Sequence, residues 1–244
     1  MNIVRVKDYQ DMSRHACQRI IATIKEQANP VLGLATGSTP EGMYQCLIEA
    51  FNKGEVSFRD VSTFNLDEYV GLAPSDPNSY NYFMQDKLFS HIDIDQSQVH
   101  LPNGNTGDNQ QECKDYEASV HQANEIDLQV LGIGLNGHIG FNEPGTPFSS
   151  RTHVVELDAS TREANARFFE KKEDVPTHAI TMGIATIMDS KEILLLISGE
   201  KKAEAVKRLL ENDEISEDFP ASILRKHDNI TVIIDEAAGS LLAD

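Results

Sequence analysis

Residues 128–144 read LQVLGIGLNGHIGFNEP. The run Leu128–Leu135 is apolar and short, which predicts a buried strand. It empties into a turn where Gly132, Gly134, Gly137 and Gly140 are interleaved with Asn136, His138, Asn142 and Glu143. Glycine lets a chain turn where side chains forbid it and lets small ligands approach the backbone. His138 is the first candidate for chemistry, because a neutral imidazole takes up and returns protons near neutral pH. Gly132–Gly137 also fits the dinucleotide pattern G-x-G-x-x-G letter for letter. That pattern needs a helix opening inside it. Pro144 and Pro147, with Gly140 and Gly145 before them, leave no room for a long helix, so a nicotinamide or flavin site is not expected. The plainer reading of the stretch is a glycine-rich loop that happens to carry a histidine.

The same kind of apolar run recurs at Val31–Ala35, Val61–Leu66, Ile193–Ile197 and Ile230–Ile234. Helical patterns lie between them, at Asp11–Gln27, Pro40–Asn52, Asp108–Ala123 and Lys201–Glu211. Strands alternating with helices predict an α/β domain whose mainly parallel sheet carries helices on both faces. With no linker and no internal repeat, residues 1–244 read as one domain. In such sheets ligands bind beyond the carboxyl ends of the strands, which selects the loops to be read for chemistry.

After Val31–Ala35 comes Thr36-Gly37-Ser38-Thr39-Pro40-Glu41. Ser38 with Glu41 fits a capping box and Pro40 suits a first helical turn. A capped helix start of this kind also binds phosphate through its free amides and hydroxyls. No lysine follows the glycine, so it is not a Walker A loop. After Val61–Leu66 comes Asp67-Glu68-Tyr69, acids placed where a catalytic base would sit, or a solvated turn or cap. A metal reading of this pair is discounted, since His138 and Glu143 supply no recognisable ligand spacing. Arg162 and Arg167 stand five apart on a helical pattern, one suited to structure and the other to the site. Lys201 and Lys202 follow the Ile193–Ile197 run, and with Thr36–Thr39 they complete a phosphate pocket.

Hydrophobic residues are 40% of the 244 and charged residues 25%, an ordinary globular balance. The net charge of −18 argues against nucleic acid and anionic membranes as partners. Cys17, Cys46 and Cys113 are odd in number and lack metal spacing, which suits reduced cytosolic thiols. No signal-peptide pattern follows Met1, and the densest apolar run is too short to span a bilayer. A soluble, acidic, cytoplasmic protein is expected.

Four segments resemble the glucosamine-6-phosphate deaminase family: LGLATGSTPEGMY, FNLDEYVGL, LGIGLNGHIGFNEPG and SRTHVVELDASTREANARFF. The similarity extends to ISGEKKAEAV and to the closing VIIDEAA, so it covers nearly the whole chain. It implies a Rossmann-like three-layer fold and conversion of glucosamine 6-phosphate and water to fructose 6-phosphate and ammonia, without metal or organic cofactor. It further implies Asp67 as the base for enolisation and His138 as the proton acceptor for ring opening. Glu143 supports His138, and Asn136 takes the third ring-opening position. Thr36, Gly37, Ser38, Thr39, Arg167 and Lys202 are implied as the phosphate site.

Two departures from the family pattern stand out. Asn136 replaces an aspartate of better-known members, and asparagine orients by hydrogen bonds but holds no charge. Allosteric hexamers bind an N-acetylated sugar phosphate through basic residues just after the SRT segment, where this chain has His153 and Val155. Strong allosteric activation is therefore not expected, and a monomer or small homo-oligomer fits as well as a hexamer. Gly145–Ser150 is the expected lid. The competing readings are a phosphogluconolactonase-like hydrolase, a pentose-phosphate isomerase, and a sugar-phosphate sensor without turnover.

Overall fold

The structure is a computed structural model that describes residues 1–157, 162, 163, 166, 169, 171 and 174–243. Seven strands form one sheet in the order β1-β10-β9-β6-β2-β3-β5, and every neighbouring pair runs parallel. They are β1 (Asn2–Val6), β2 (Val31–Leu34), β3 (Ser62–Asn65), β5 (Val99–His100), β6 (Leu128–Leu131), β9 (Ile193–Ile197) and β10 (Ile230–Asp235). All five residues of β9 are buried, as expected of a central strand covered on both faces.

Helices α1 (Tyr9–Glu26) and α2 (Ser38–Asn52) pack Met12, Ala16, Ile20, Met43 and Leu47 against Leu32, Leu34, Leu194 and Leu196 on one face. On the other face, Leu131, Leu195 and Val232 meet α4 (Asn109–Gln122) through Tyr116 and α5 (Ile184–Met188) through Ile184 and Ile187. Val206 and Leu209 of α6 (Ala203–Glu211) join the same cluster. The expected three layers are present.

The structure differs from the sequence reading at several places, each for a local reason. Asn2–Val6 forms the edge strand β1, paired with β10 from Asn2↔Thr231 to Val6↔Asp235. Ser38 does not cap α2. Gly37, at φ 94°, turns the chain so that the helix starts one residue earlier than a serine cap would allow, and no side chain caps it. Lys201 and Lys202 lie in a 3₁₀ turn, Glu200–Lys202, before α6 begins at Ala203.

The run Leu128–Leu135 stops being a strand at Leu131. Beyond it the backbone bonds to itself, with Gly134 N–H donating to His138 O at 2.8 Å and Gly137 N–H to Gly134 O at 3.1 Å. No helix opens in that turn, so the G-x-G-x-x-G match offers no helix end to a pyrophosphate. After β3 the chain leaves the main sheet. Asp67–Tyr69 becomes β4 of a second, antiparallel sheet ordered β4-β8-β7, with β7 at His153–Glu156 and β8 at His178–Thr181.

From β2 the chain builds outward through β3 to β5, then returns to β6 on the other side of β2. The crevice beyond the carboxyl ends of β2 and β6 is therefore the switch point of the sheet, where α/β folds bind ligands.

Candidate active site

A cleft of about 660 Å³ opens at this switch point. It is floored by Thr36–Thr39 after β2, Asp67 at the start of β4, Gly132–Leu135 and His138 after β6, and Lys201 and Lys202 after β9. One wall is aromatic: Tyr69, Tyr80, Phe83, Phe141 and Phe169 all line it.

Asp67 is 7% exposed, and among the described residues its carboxylate accepts no hydrogen bond. Burial, with Glu68 beside it, pushes its pKa up to about 8. The neighbouring acids are thus not equivalent. Glu68 accepts three backbone N–H bonds, from Tyr69 at 2.8 Å, Tyr80 at 2.9 Å and Asn81 at 2.8 Å. Its carboxylate is committed, whereas that of Asp67 is buried and has no hydrogen-bond partner among the described residues.

His138 sits at the end of a polar chain. Glu143 Oε2 accepts from Asn136 Nδ2 at 2.8 Å, and Asn136 Oδ1 lies 2.8 Å from His138 Nδ1 and 3.2 Å from its backbone N. With the Asn136 amide nitrogen committed to Glu143, its oxygen can only accept. His138 Nδ1 must then carry the proton, leaving a lone pair on Nε2. Glu143 Oε2 also stands 3.4 Å from Nδ1. Asn136 and Glu143 stand behind His138 and do not line the cleft.

The Thr36–Thr39 loop is braced from behind. The Tyr9 hydroxyl donates to Ser38 O at 2.8 Å and accepts from Gly42 N at 2.8 Å, while the Tyr44 hydroxyl donates to Ala35 O at 2.5 Å. Across the cleft Lys202 Nζ donates to Ile133 O at 2.6 Å, and burial holds its pKa below the usual lysine value. An anion bound between loop and lysine relieves that desolvation. Arg167 lies outside the described residues. Arg162 is structural, donating from Nη2 to Val175 O at 3.0 Å.

The expected lid, Gly145–Ser150, is a misplacement. Gly145 N–H donates to Glu217 O at 2.8 Å, Phe148 N–H to Glu217 Oε1 at 3.0 Å, and Ser150 O accepts from Ala185 N at 3.0 Å. None of its residues lines the cleft. Sequence reasoning also missed the aromatic wall, the bracing by Tyr9 and the separate engagement of Glu68. Tyr80-Asn81-Tyr82-Phe83 carries the signal, but on a short helix such spacing reads as core packing.

The model of glucosamine-6-phosphate isomerases/6-phosphogluconolactonases matches residues 7–233. The chain is 59% identical to the glucosamine-6-phosphate deaminase of Oceanobacillus iheyensis over 98% of its own length and 95% of the relative's. It is 54% identical to glucosamine-6-phosphate deaminase 1 of Bacillus subtilis over 99% of both chains. Among solved structures it is similar to a monomeric glucosamine-6-phosphate deaminase, with a TM-score of 0.97 and 53% identity over 99% of this chain and 100% of that one. The 6-phosphogluconolactonase of Leishmania guyanensis, at a TM-score of 0.78 and 19% identity over 100% of this chain and 99% of that one, shares the fold.

Proposed function

Because the chain belongs to the family of glucosamine-6-phosphate isomerases and 6-phosphogluconolactonases, we propose from its site that it is an enzyme converting glucosamine 6-phosphate and water to fructose 6-phosphate and ammonia. The observation that carries this reading is the meeting of two separate proton-transfer groups in one cleft. His138 is oriented by Asn136, and Asp67 is a dry carboxylate of raised proton affinity. A lactone hydrolase needs no second base, and an aldose–ketose isomerase releases no ammonia.

The chemistry assigns each residue a task. An amine on a saturated carbon leaves poorly, so the sugar must first be opened and its unsaturation moved. Thr36–Thr39 amides with Lys202 hold the phosphate and fix the sugar's register, and the family resemblance adds Arg167 to that set. His138 Nε2 takes the proton of the carbon 1 hydroxyl and delivers it to the ring oxygen as the ring bond breaks, giving the aldehyde. Asp67 then removes the acidified proton from carbon 2. Reprotonation at carbon 1 leaves an imine at carbon 2, to which water adds and from which ammonia departs. Glu143, through Asn136, stabilises the imidazolium in between. A base with a pKa near 8 is better matched to a carbon acid than an ordinary aspartate. No metal or organic cofactor takes part in this scheme.

Ammonia release from glucosamine 6-phosphate by purified protein, with chelator present, tests the reading. Fructose 6-phosphate and ammonia in equal amounts support it. Binding without turnover points to a sensor. Asn136→Asp places a second carboxylate against Glu143, now 2.8 Å from the amide nitrogen, and raises the basicity of His138. The acid limb of its pH–rate profile is expected to move to higher pH with activity retained. A superimposable profile refutes an electrostatic role for this position.

We further propose cytoplasmic action without allosteric control. Among the described residues no helix is long and apolar enough to cross a membrane. Arg151 of the SRT segment is already paired with Asp189 and lies 3.5 Å from Glu117, so it is not free to take a phosphate. Rate curves are expected to be hyperbolic with or without N-acetylglucosamine 6-phosphate. A sigmoidal curve made hyperbolic by that compound contradicts this.

A further inference from the structure

Glu68 has no task in the reaction above, although it adjoins the base and is only 3% exposed. Its three bonds join two elements. Tyr69 belongs to β4, while Tyr80 and Asn81 open helix α3 (Tyr80–Lys87), whose next free amide, Tyr82 N, is taken by Ser79 Oγ at 3.0 Å. The carboxylate therefore ties the start of α3 to the strand that carries Asp67. Tyr80 then holds its ring 4.7 Å from that of Tyr69 and stacked at 10° on Phe141, 6.1 Å away. These rings form the aromatic wall beside Asp67.

We infer that Glu68 is a positioning residue for the reaction: it holds Tyr80 closed against β4 so that Asp67 stays dry, and its charge sets the field in which Asp67 gives and takes its proton. The inference rests on the deaminase reading for its kinetic consequence. The charged and titratable groups around Asp67 are Glu68 and Tyr69 on its own strand, Tyr80 from α3, Tyr116 from α4, and His138, Lys201 and Lys202 lining the cleft. Burial keeps the Tyr80 and Tyr116 phenols neutral, and Glu68 is the neighbour that adds to the effect of burial on Asp67.

Glu68→Gln keeps the shape, removes the charge and turns an amide NH₂ toward one of the three donors. Both changes favour ionised Asp67. The acid limb of kcat/KM is expected to move down by about one pH unit. The maximal kcat should fall about tenfold with KM held within about twofold. The same downward shift should appear without substrate in the infrared carboxylate band of Asp67, identified by its loss in Asp67→Asn. That reading stands even if the protein releases no ammonia, so failure of the deaminase assignment and failure of this inference are separable. A lowered melting temperature with limb and band unmoved would make Glu68 merely structural and overturn the inference. Glu68→Asp serves if the glutamine variant does not fold. It keeps the charge but shortens the reach, so kcat should fall about tenfold, and the limb should move down through hydration of Asp67 alone, by less than in the glutamine variant. Wild-type kcat in that variant overturns the inference as well.

Discussion

Asp67→Asn is expected to lower ammonia release by about 10⁴-fold, the upper range for loss of a positioned base, and at the same time to stabilise the protein. Both effects come from the same burial. The pKa of Asp67 stands at about 8 in the folded chain against an ordinary value of 3.8. Between these values the unfolded chain has released a proton that the folded chain retains. Stability therefore falls as pH rises through this window and levels off above about 8, where the full cost of burying the charge is present. An asparagine has no charge to bury. It still places an unpartnered amide in the site, so the net gain at pH 8.5 is about 1–3 kcal/mol. That corresponds to a rise in melting temperature of about 5 °C, shrinking toward pH 4. Melting curves of both proteins at the two pH values check this. A difference independent of pH, or a loss at pH 8.5, would show that Asp67 is not held in a dry site.

Periodicity revealed the scaffold because the scaffold is periodic. β9 and β10 are apolar runs buried on both faces, and α1, α2 and α4 end within two residues of their expected limits. The elements it missed carry little or contradictory pattern. β1 is an edge strand with mostly exposed residues, and β4 is a three-residue strand reading Asp-Glu-Tyr. The latter is a strand only because β8, more than 100 residues later, pairs with it through Asp67↔Thr181. The site was legible where chemistry is local in sequence. Asn136, His138 and Glu143 fall within eight residues, and the structure joins them by hydrogen bonds. It was illegible where tertiary packing divides like residues. Nothing in the dipeptide Asp67-Glu68 tells that one carboxylate meets three amides and the other none among the described residues.

Gly134→Ala is expected to lower kcat about 100-fold because the methyl meets the His138 ring. A Cβ at Gly134 would stand 2.2 Å from His138 Nδ1, 2.3 Å from Cε1 and 2.5 Å from Cγ. Carbon needs about 3.5 Å from such atoms, so the imidazole must move by roughly 1 Å or more. It has no free path, since Nδ1 is held by Asn136 Oδ1 and the His138 carbonyl accepts from the Gly134 amide itself. The ring must break from Asn136, losing the arrangement that leaves Nε2 unprotonated, or the turn must shift as a whole. Overpacking of this kind costs about 1–3 kcal/mol of stability, which leaves the fold intact. KM should change little, because the Thr36–Thr39 loop approaches the cleft from another element and keeps its hold on the phosphate. A wild-type kcat would mean that the imidazole does not lie over Gly134. The mechanism has a sharper signature in combination. A methyl that acts only through the imidazole has nothing left to act on once that ring is removed. His138→Ala and the double variant with Gly134→Ala should therefore share one rate within about twofold, whereas independent effects would multiply.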